Sequence, residues 1–374
     1  MRVPRKKPEI LLPRRKTERI AVGGVAIGGG APIVVQSMAK TDTRNTPATV
    51  AEIKRLEKAG CEIIRLAVPD RAAAESLGKI KQKIRIPLIA DIHFDYRLAL
   101  IALAKGADGL RLNPGTIGSR EKVKAVVLAA RERNIPIRIG VNSGSLEKDL
   151  LRKHGGATAA AMVESALRHI RILEDLDFRL IKVSLKASDV RRTLDAYRLL
   201  ALKVDYPFHA GITEAGTLLC GAVKSAVGLG LLLNEGLADT IRVSLTAPPE
   251  EEVRVAYKIL ASLGLRWWGP NVISCPTCGR IEVNLKRIAA EVEERLSEMS
   301  ELVNVAVMGC MVNGPGEAKE ADVGVACGKG VGILFKEGRL IRRLKEKEIV
   351  PVLVGEVEKI ARTRRQKRVE ERPE

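Results

Sequence analysis

Pro136-Ile137-Arg138-Ile139-Gly140-Val141-Asn142 is a short β-branched run ending in a polar residue. Its near-continuous apolar character fits a strand buried on both faces, as in a parallel sheet covered by helices. An amphipathic segment precedes it (Ser119–Arg133) and another follows (Ala157–Leu173). The same unit recurs on both sides. The runs are Ile33–Ser37, Ile63–Val68, Pro87–Asp91, Gly109–Asn113, Pro136–Asn142, Leu180–Leu185, Pro207–Ile212 and Thr240–Leu245. Helical patterns fall between them, among them Thr46–Ala59, Arg97–Lys105, Asp189–Leu202 and Thr217–Leu232, and Pro249–Ser262 closes the series. Eight strand–helix units over this length are the count and size of a (β/α)8 TIM barrel. A doubly wound open sheet is the runner-up, but no G-x-G-x-x-G enters a helix. Ahead of the barrel, Glu18–Val22 and Val25–Ile27 flank Gly23-Gly24, a hairpin placed to plug the barrel's bottom.

The rhythm stops between Leu263 and Pro270, at Trp267-Trp268-Gly269-Pro270. This divides the chain into a barrel domain, residues 1–266 with the hairpin, and a small α+β domain, residues 270–374. The second domain reads as a helix at Leu285–Met299, strands at Val303–Met308, Asp322–Cys327 and Val331–Phe335, a Lys/Gly turn, and a helix from about Val352. The last dozen residues, rich in Arg and Glu, read as disordered.

Composition narrows the function classes. No apolar run reaches membrane-spanning length, and no apolar stretch follows the basic N-terminus, so a cytoplasmic protein is expected. Six cysteines in a chain of this length are not a disulfide framework. The net charge of +19 fits solvated basic tails, an anionic substrate or an acidic partner. Basic residues are not interleaved with aromatics as they are where bases stack, which argues against nucleic acid.

In a barrel the chemistry sits at the C-terminal ends of the strands. The runs carry Arg65, Arg111 with Asn113, Arg138 with Asn142, Lys182 with Ser184 and Lys186, His209 with Thr213 and Glu214, and Arg242 with Ser244. One lone Arg in a strand usually pairs with a buried acid. Five cation-bearing strands cannot all be neutralised by Asp91 and Glu214, and unpaired buried charge is costly. A multiply anionic ligand such as a diphosphate relieves that cost, with Arg gripping phosphate bidentately and Lys as a point charge. Of the two lysines, the strand end favours Lys186 as the phosphate ligand. Glu214 reads equally as a general acid, a charge stabiliser or a salt-bridge partner. Asp91 and His93 read as a pair orienting the loop after their strand rather than as metal ligands. Cys61, Cys220 and Cys327 read as small buried hydrophobes, with Cys327 also a possible ligand.

The second domain opens on Cys275-Pro276-Thr277-Cys278-Gly279, answered by Met308-Gly309-Cys310-Met311-Val312-Asn313-Gly314-Pro315-Gly316-Glu317. Three thiols and a carboxylate in Gly/Pro-rich turns suit an iron–sulfur cluster or zinc. Structural zinc normally closes with four Cys or His, yet no His follows His209. The nearest fourth ligand on offer is Glu317 or Cys327, and three thiolates with a carboxylate, odd for structural zinc, make sense for a cluster that leaves one iron weakly held.

Taken together, the chain resembles the bacterial, two-domain 4-hydroxy-3-methylbut-2-enyl diphosphate synthases of the non-mevalonate isoprenoid pathway. The resemblance rests on Val35-Gln36-Ser37-Met38, Ala90-Asp91-Ile92-His93-Phe94, Arg111-Leu112-Asn113-Pro114-Gly115, Ile139-Gly140-Val141-Asn142-Ser143-Gly144, Ser184-Leu185-Lys186-Ala187-Ser188, Gly211-Ile212-Thr213-Glu214-Ala215-Gly216, Ile241-Arg242-Val243-Ser244-Leu245-Thr246 and both cysteine turns. It spans about Arg19 to Leu353. It implies a two-electron reductive ring opening and dehydration of 2-C-methyl-D-erythritol 2,4-cyclodiphosphate to (E)-4-hydroxy-3-methylbut-2-enyl diphosphate. The implied cofactor is a [4Fe-4S] cluster, fed by flavodoxin or ferredoxin. It further implies Cys275, Cys278, Cys310 and Glu317 as cluster ligands, Glu214 as a carboxylate near the reacting carbons, and Asn313 as a residue reaching the substrate. Arg65, Arg111, Arg138, Asn142, Lys186, Arg242 and Ser244 fall at or near the diphosphate positions, and Asn113, His209 and Thr213 join them as strand-end candidates. A short linker and the resemblance together lead to a homodimer whose cluster domain caps the partner's barrel. The rival expectation is another phosphate-binding barrel enzyme with a structural zinc tail.

Overall fold

The β-branched runs pair in parallel, and successive pairs are joined by helices that cover the outer face. The computed structural model describes residues 12–311, 316 and 320–370, and the chain divides into two compact units, one up to Arg266 and one from Trp267. In the first, a two-stranded hairpin of β1 (Ile20–Val22) and β2 (Val25–Ile27) precedes β3 (Val34–Met38). Then follow α1 (Thr46–Lys58), β4 (Ile63–Val68), α2 (Arg71–Lys81), β5 (Leu88–Ile92), α3 (Tyr96–Ala104), β6 (Gly109–Arg111), α4 (Pro114–Ile117) and α5 (Arg120–Glu132). The unit continues through β7 (Ile137–Asn142), α6 (Lys148–Lys153), α7 (Ala159–Glu174), β8 (Ile181–Lys186), α8 (Val190–Ala201), β9 (His209–Ala210), α9 (Leu218–Asn234), β10 (Thr240–Ile241) and α10 (Pro249–Ser262). Eight parallel strands run in the order β8-β7-β6-β5-β4-β3-β10-β9, and an isolated Val183–Phe208 bridge joins the ends. This is a (β/α)8 barrel.

Alternation along the strands sorts the side chains. Ile64, Leu66, Leu88 and Ala90 belong to the core shared with the helices. Their neighbours Ile63, Ile89 and Val34 instead pack on Ile20, Val22 and Ile27 of the hairpin, which plugs the barrel as the sequence suggests. β9 and β10 hold only two ladder residues each, shorter than the sequence runs. Just beyond β9 only glycine fits, since a Cβ on Gly211 would lie 2.4 Å from the Arg242 carbonyl oxygen.

The second unit is a five-stranded sheet in the order β11-β12-β13-β14-β15, comprising Asn271–Ser274, Asn304–Met308, Val323–Gly328, Val331–Lys336 and Arg339–Lys345. α11 (Leu285–Leu296) and α12 (Ile349–Glu370) pack with it in one core. Three sequence expectations are corrected. β11 and β15 are strands that the reading left out. The Arg/Glu-rich tail is helical through Glu370 rather than disordered, anchored where Arg364 pairs with Asp322 at 2.9 Å and Arg365 with Glu301 at 2.7 Å, and its last residues, 371–374, lie outside the described residues. Cys220 is exposed, since the outer face of the nearly all-apolar helix α9 is uncovered. Among the described residues, no helix is long and apolar enough to cross a membrane.

Candidate active site

Arg65, Arg111, Arg138, Lys186 and Arg242 converge at the C-terminal mouth of the barrel. They line a cavity of about 160 Å³ with Asp91, His93, Asn142, Ser184, Thr213 and Ser244. Strand register assembles them: Asp91 lies opposite Arg111, Arg111 opposite Arg138, Arg138 opposite Lys182, and Asn142 opposite Lys186. Two glycines make the room. A Cβ on Gly140 would sit 2.6 Å from Arg111 Nε, and one on Gly211 would sit 2.9 Å from Lys186 Nζ.

The charges do not balance. Asp91 accepts from Arg111 Nη1 at 3.1 Å and lies 3.5 Å from Arg65 Nε. Glu252, reaching in from α10, lies 3.5 Å from Arg242 Nη2 and accepts from the Leu245 N–H at 2.9 Å. Arg138 and Lys186 have no carboxylate partner among the described residues. Burial, reinforced by Arg138 and Arg242, pushes the Lys186 ammonium well below its usual range. Burial likewise pulls Arg138 down, with Arg65 and Arg111 adding to it. Burial alone would raise the Asp91 carboxyl, but Arg65, Arg111 and Arg138 outweigh it and hold it below the ordinary value. A net-cationic, low-dielectric mouth of this kind has the charge to suit a polyanion.

The other candidates take different places. His209 is buried below the mouth, with Nδ1 2.7 Å from Thr240 Oγ1 and Nε2 3.3 Å from Lys186 Nζ, so it orients that lysine. Asn113 Oδ1 accepts from the Gly140 N–H at 2.9 Å and holds the strand end rather than lining the cavity. Lys182 lies one layer deeper, its ammonium unpartnered among the described residues, leaving Lys186 as the lysine at the cavity. Glu214 is exposed on the loop after β9, at a φ of 50° that is strained for a residue with a Cβ. Among the described residues it forms no ion pair, so the salt-bridge alternative is not realised. Asp91 and His93 lie together, Nε2 3.5 Å from Oδ1, and both also bind Arg111. The reading missed Glu252 altogether, since a glutamate in an acidic first helical turn carries no sign that it points inward.

In the second unit, Cys275 follows β11 and Cys310 follows the adjacent parallel strand β12. The Gly309 N–H lies 3.3 Å from Cys275 Sγ, an N–H···S contact of the kind that supports a thiolate. Hydrogen bonds from Arg280 hold the Cys278 thiol below its usual range, and Cys278 and Cys310 both act on Arg280. Burial pushes the Cys327 thiol up to about 12, the behaviour of a core residue. Asn313 and Glu317 lie outside the described residues. Among the described residues, no three Cys, His, Asp or Glu side chains already form a metal-binding group. The donor set still fits a thiolate-held cluster: three thiols on neighbouring turns, with N–H and guanidinium donors beside them.

Residues 17–257 match the GcpE TIM-barrel domain and residues 271–359 the GcpE protein C-terminal domain. This chain belongs to the GcpE family. A Geobacter sulfurreducens member is 61% identical over 93% of this chain and 98% of its own length. A Thermodesulfovibrio yellowstonii member is 60% identical over 93% of this chain and its own whole length. Both family members are named 4-hydroxy-3-methylbut-2-en-1-yl diphosphate synthase (flavodoxin). A solved dihydropteroate synthase from Stenotrophomonas maltophilia matches 66% of this chain and 98% of its own, at 14% identity and a TM-score of 0.49, too slight a likeness to carry an argument.

Proposed function

We propose that this chain carries out the two-electron reductive ring opening and dehydration of 2-C-methyl-D-erythritol 2,4-cyclodiphosphate to (E)-4-hydroxy-3-methylbut-2-enyl diphosphate. The observation that carries this reading is the uncompensated cation set at the barrel mouth, matched to a cyclic diphosphate. Arg65, Arg111, Arg138 and Arg242 neutralise and orient the two phosphates, with Lys186 as a further point charge. Asn142, Thr213 and Ser244 offer hydrogen bonds at the same rim. Asp91 and Glu252 hold three of the guanidiniums at fixed spacing before the ligand arrives, which lowers the cost of binding. Glu214, on its strained loop, is the carboxyl proposed to protonate the departing hydroxyl, so that it leaves as water.

Cys275, Cys278 and Cys310 would hold a [4Fe-4S] cluster, with Glu317 as the fourth, replaceable ligand and Asn313 toward the substrate. When bound, such a cluster supplies the electrons one at a time, received from flavodoxin. A structural zinc tail on an unrelated barrel enzyme is disfavoured by two named family members at 60–61% identity. The protein is proposed to work in the cytoplasm as a homodimer with the active site shared between subunits. An exposed apolar stripe on α9 (Leu219, Val223, Val227, Leu231) supports self-association.

The paired test is Arg111→Met against Cys310→Ser. Arg111→Met is expected to raise KM for the cyclic diphosphate, a loss on the order of 2–3 kcal/mol for a charged hydrogen bond, with iron content unchanged. Cys310→Ser is expected to lose iron. Iron loss in Arg111→Met with its KM intact would overturn the assignment of the two units.

A further inference from the structure

The edge strand of the second unit is unlike the others. β15 is exposed on both faces except at Leu344. It carries Arg339, Arg342, Arg343 and Lys345 and no acid, and none of these four side chains makes an ion pair among the described residues. Between the cations, Leu340 and Ile341 are 59% and 50% exposed, and Val331, paired with Lys345, is 43% exposed. Cations alone are enough to protect a sheet edge from pairing with another chain. Aliphatics left exposed between the cations, where the ladder to β14 shifts register, weaken that protection unless something covers them. Arg interleaved with aliphatics is the make-up of a docking surface.

Its place in the unit matters. The Lys345 end pairs with Val331, and Val331 with Gly328. A Cβ on Gly328 would lie 3.4 Å from Met311 Cγ, one residue after Cys310. The Lys329 N–H donates at 2.8 Å to Glu282, four residues after Cys278. The turn joining β13 to β14 therefore meets the cysteine turns, and the Lys345 end of β15 lies one strand further out at the same end of the sheet. Three acids flank it, Glu337, Glu346 and Glu348, and Glu348 is engaged by the Lys345 N–H at 2.8 Å. The four strand cations remain facing outward.

We propose that β15, with the turn joining β13 to β14, is the surface on which an acidic, flavin-bearing electron-carrier protein docks to deliver electrons to the cysteine-held centre. This rests on the functional reading above. Charge complementarity selects the occupant: the strand is wholly cationic, and its aliphatics suit the apolar margin around a surface-exposed flavin better than a bare polyanion.

The test uses the anaerobically reconstituted full chain with Arg342→Glu/Arg343→Glu and the milder Arg342→Gln/Arg343→Gln. Oxidised flavodoxin binding is followed by quenching of its flavin fluorescence, KM is taken with reduced flavodoxin, and turnover is measured with dithionite. The expected result is a roughly tenfold weaker Kd and KM for the Glu pair, a smaller loss for the Gln pair, and a flatter salt dependence in both. Dithionite-driven turnover stays at the parent level. If the Glu pair fails to fold, the Gln pair and hydrogen-exchange protection of residues 339–345 by flavodoxin decide. Unchanged affinity and salt slope overturn the surface and leave the functional reading standing. So does a DNA duplex that displaces flavodoxin from the parent at equal charge. A parent that binds flavodoxin through β15 yet makes no product with dithionite overturns the functional reading and leaves the surface standing.

Discussion

Lys182 and Lys186 sit on one strand and meet opposite fates. Lys186 opens onto the cavity beside His209, where an incoming phosphate can complete it. Lys182 is sealed below with no hydrogen-bond partner among the described residues, and burial, aided by Arg138, brings its ammonium down to about 7. An unfolded lysine titrates near 10.4. Between about 7 and 10 the unfolded chain therefore holds more protons than the folded one, and stability rises with pH through that window. Below about 7 the folded protein bears the full cost of the buried charge. Lys182→Met is thus expected to stabilise the barrel by about 1–4 kcal/mol at pH 6, with the gain shrinking toward pH 9.5. Urea unfolding at the two pH values checks this, and a gain independent of pH would contradict it. At this scale the sequence is informative about which residue types matter and nearly silent about partners. Cations in strands are visible by eye. Glu252 holding Arg242 depends on a contact across 10 residues of chain, and Gly140 making space for Arg111 on one across 29.

Among the elements, the barrel runs are legible in the sequence and the two edge strands of the second unit's sheet are not. A doubly buried strand must be β-branched and apolar, so β4 and β7 stand out, and Gly23-Gly24 marks a tight turn. β15 obeys no such rule: exposed on both faces, it shows neither a continuous apolar run nor an alternation. The tail of α12 was misread for a similar reason, since its composition resembles disorder and only the contacts of Arg364 and Arg365 anchor it. The plug itself makes a prediction. Ile27 is fully buried in the cluster with Val34, Ile63 and Ile89. Ile27→Ala is expected to cost about 2–5 kcal/mol of barrel stability, the range for buried aliphatic truncation. Scanning calorimetry should show the barrel transition lowered while iron binding by the second unit is kept. Equal loss of both would mean that the hairpin is not a barrel element alone.

Taking the whole molecule, two units with separate cores divide the work proposed here, one gripping a diphosphate and one handling electrons. If the site is shared between subunits, mixing an inactive Cys310→Ser chain with an inactive Arg111→Met/Lys186→Met chain under exchange conditions should restore activity, because mixed dimers regain one intact site. Confirmed exchange without recovered activity would place the site within one chain. The most direct measurement of the central claim is an anaerobic assay of the reconstituted protein with 2-C-methyl-D-erythritol 2,4-cyclodiphosphate and a counted amount of reductant. The account predicts a brown protein with about four iron and four sulfide per chain, forming (E)-4-hydroxy-3-methylbut-2-enyl diphosphate with two electrons consumed per molecule. A colourless zinc protein, or one that binds the cyclic diphosphate and returns it unchanged while fully reduced, would contradict it.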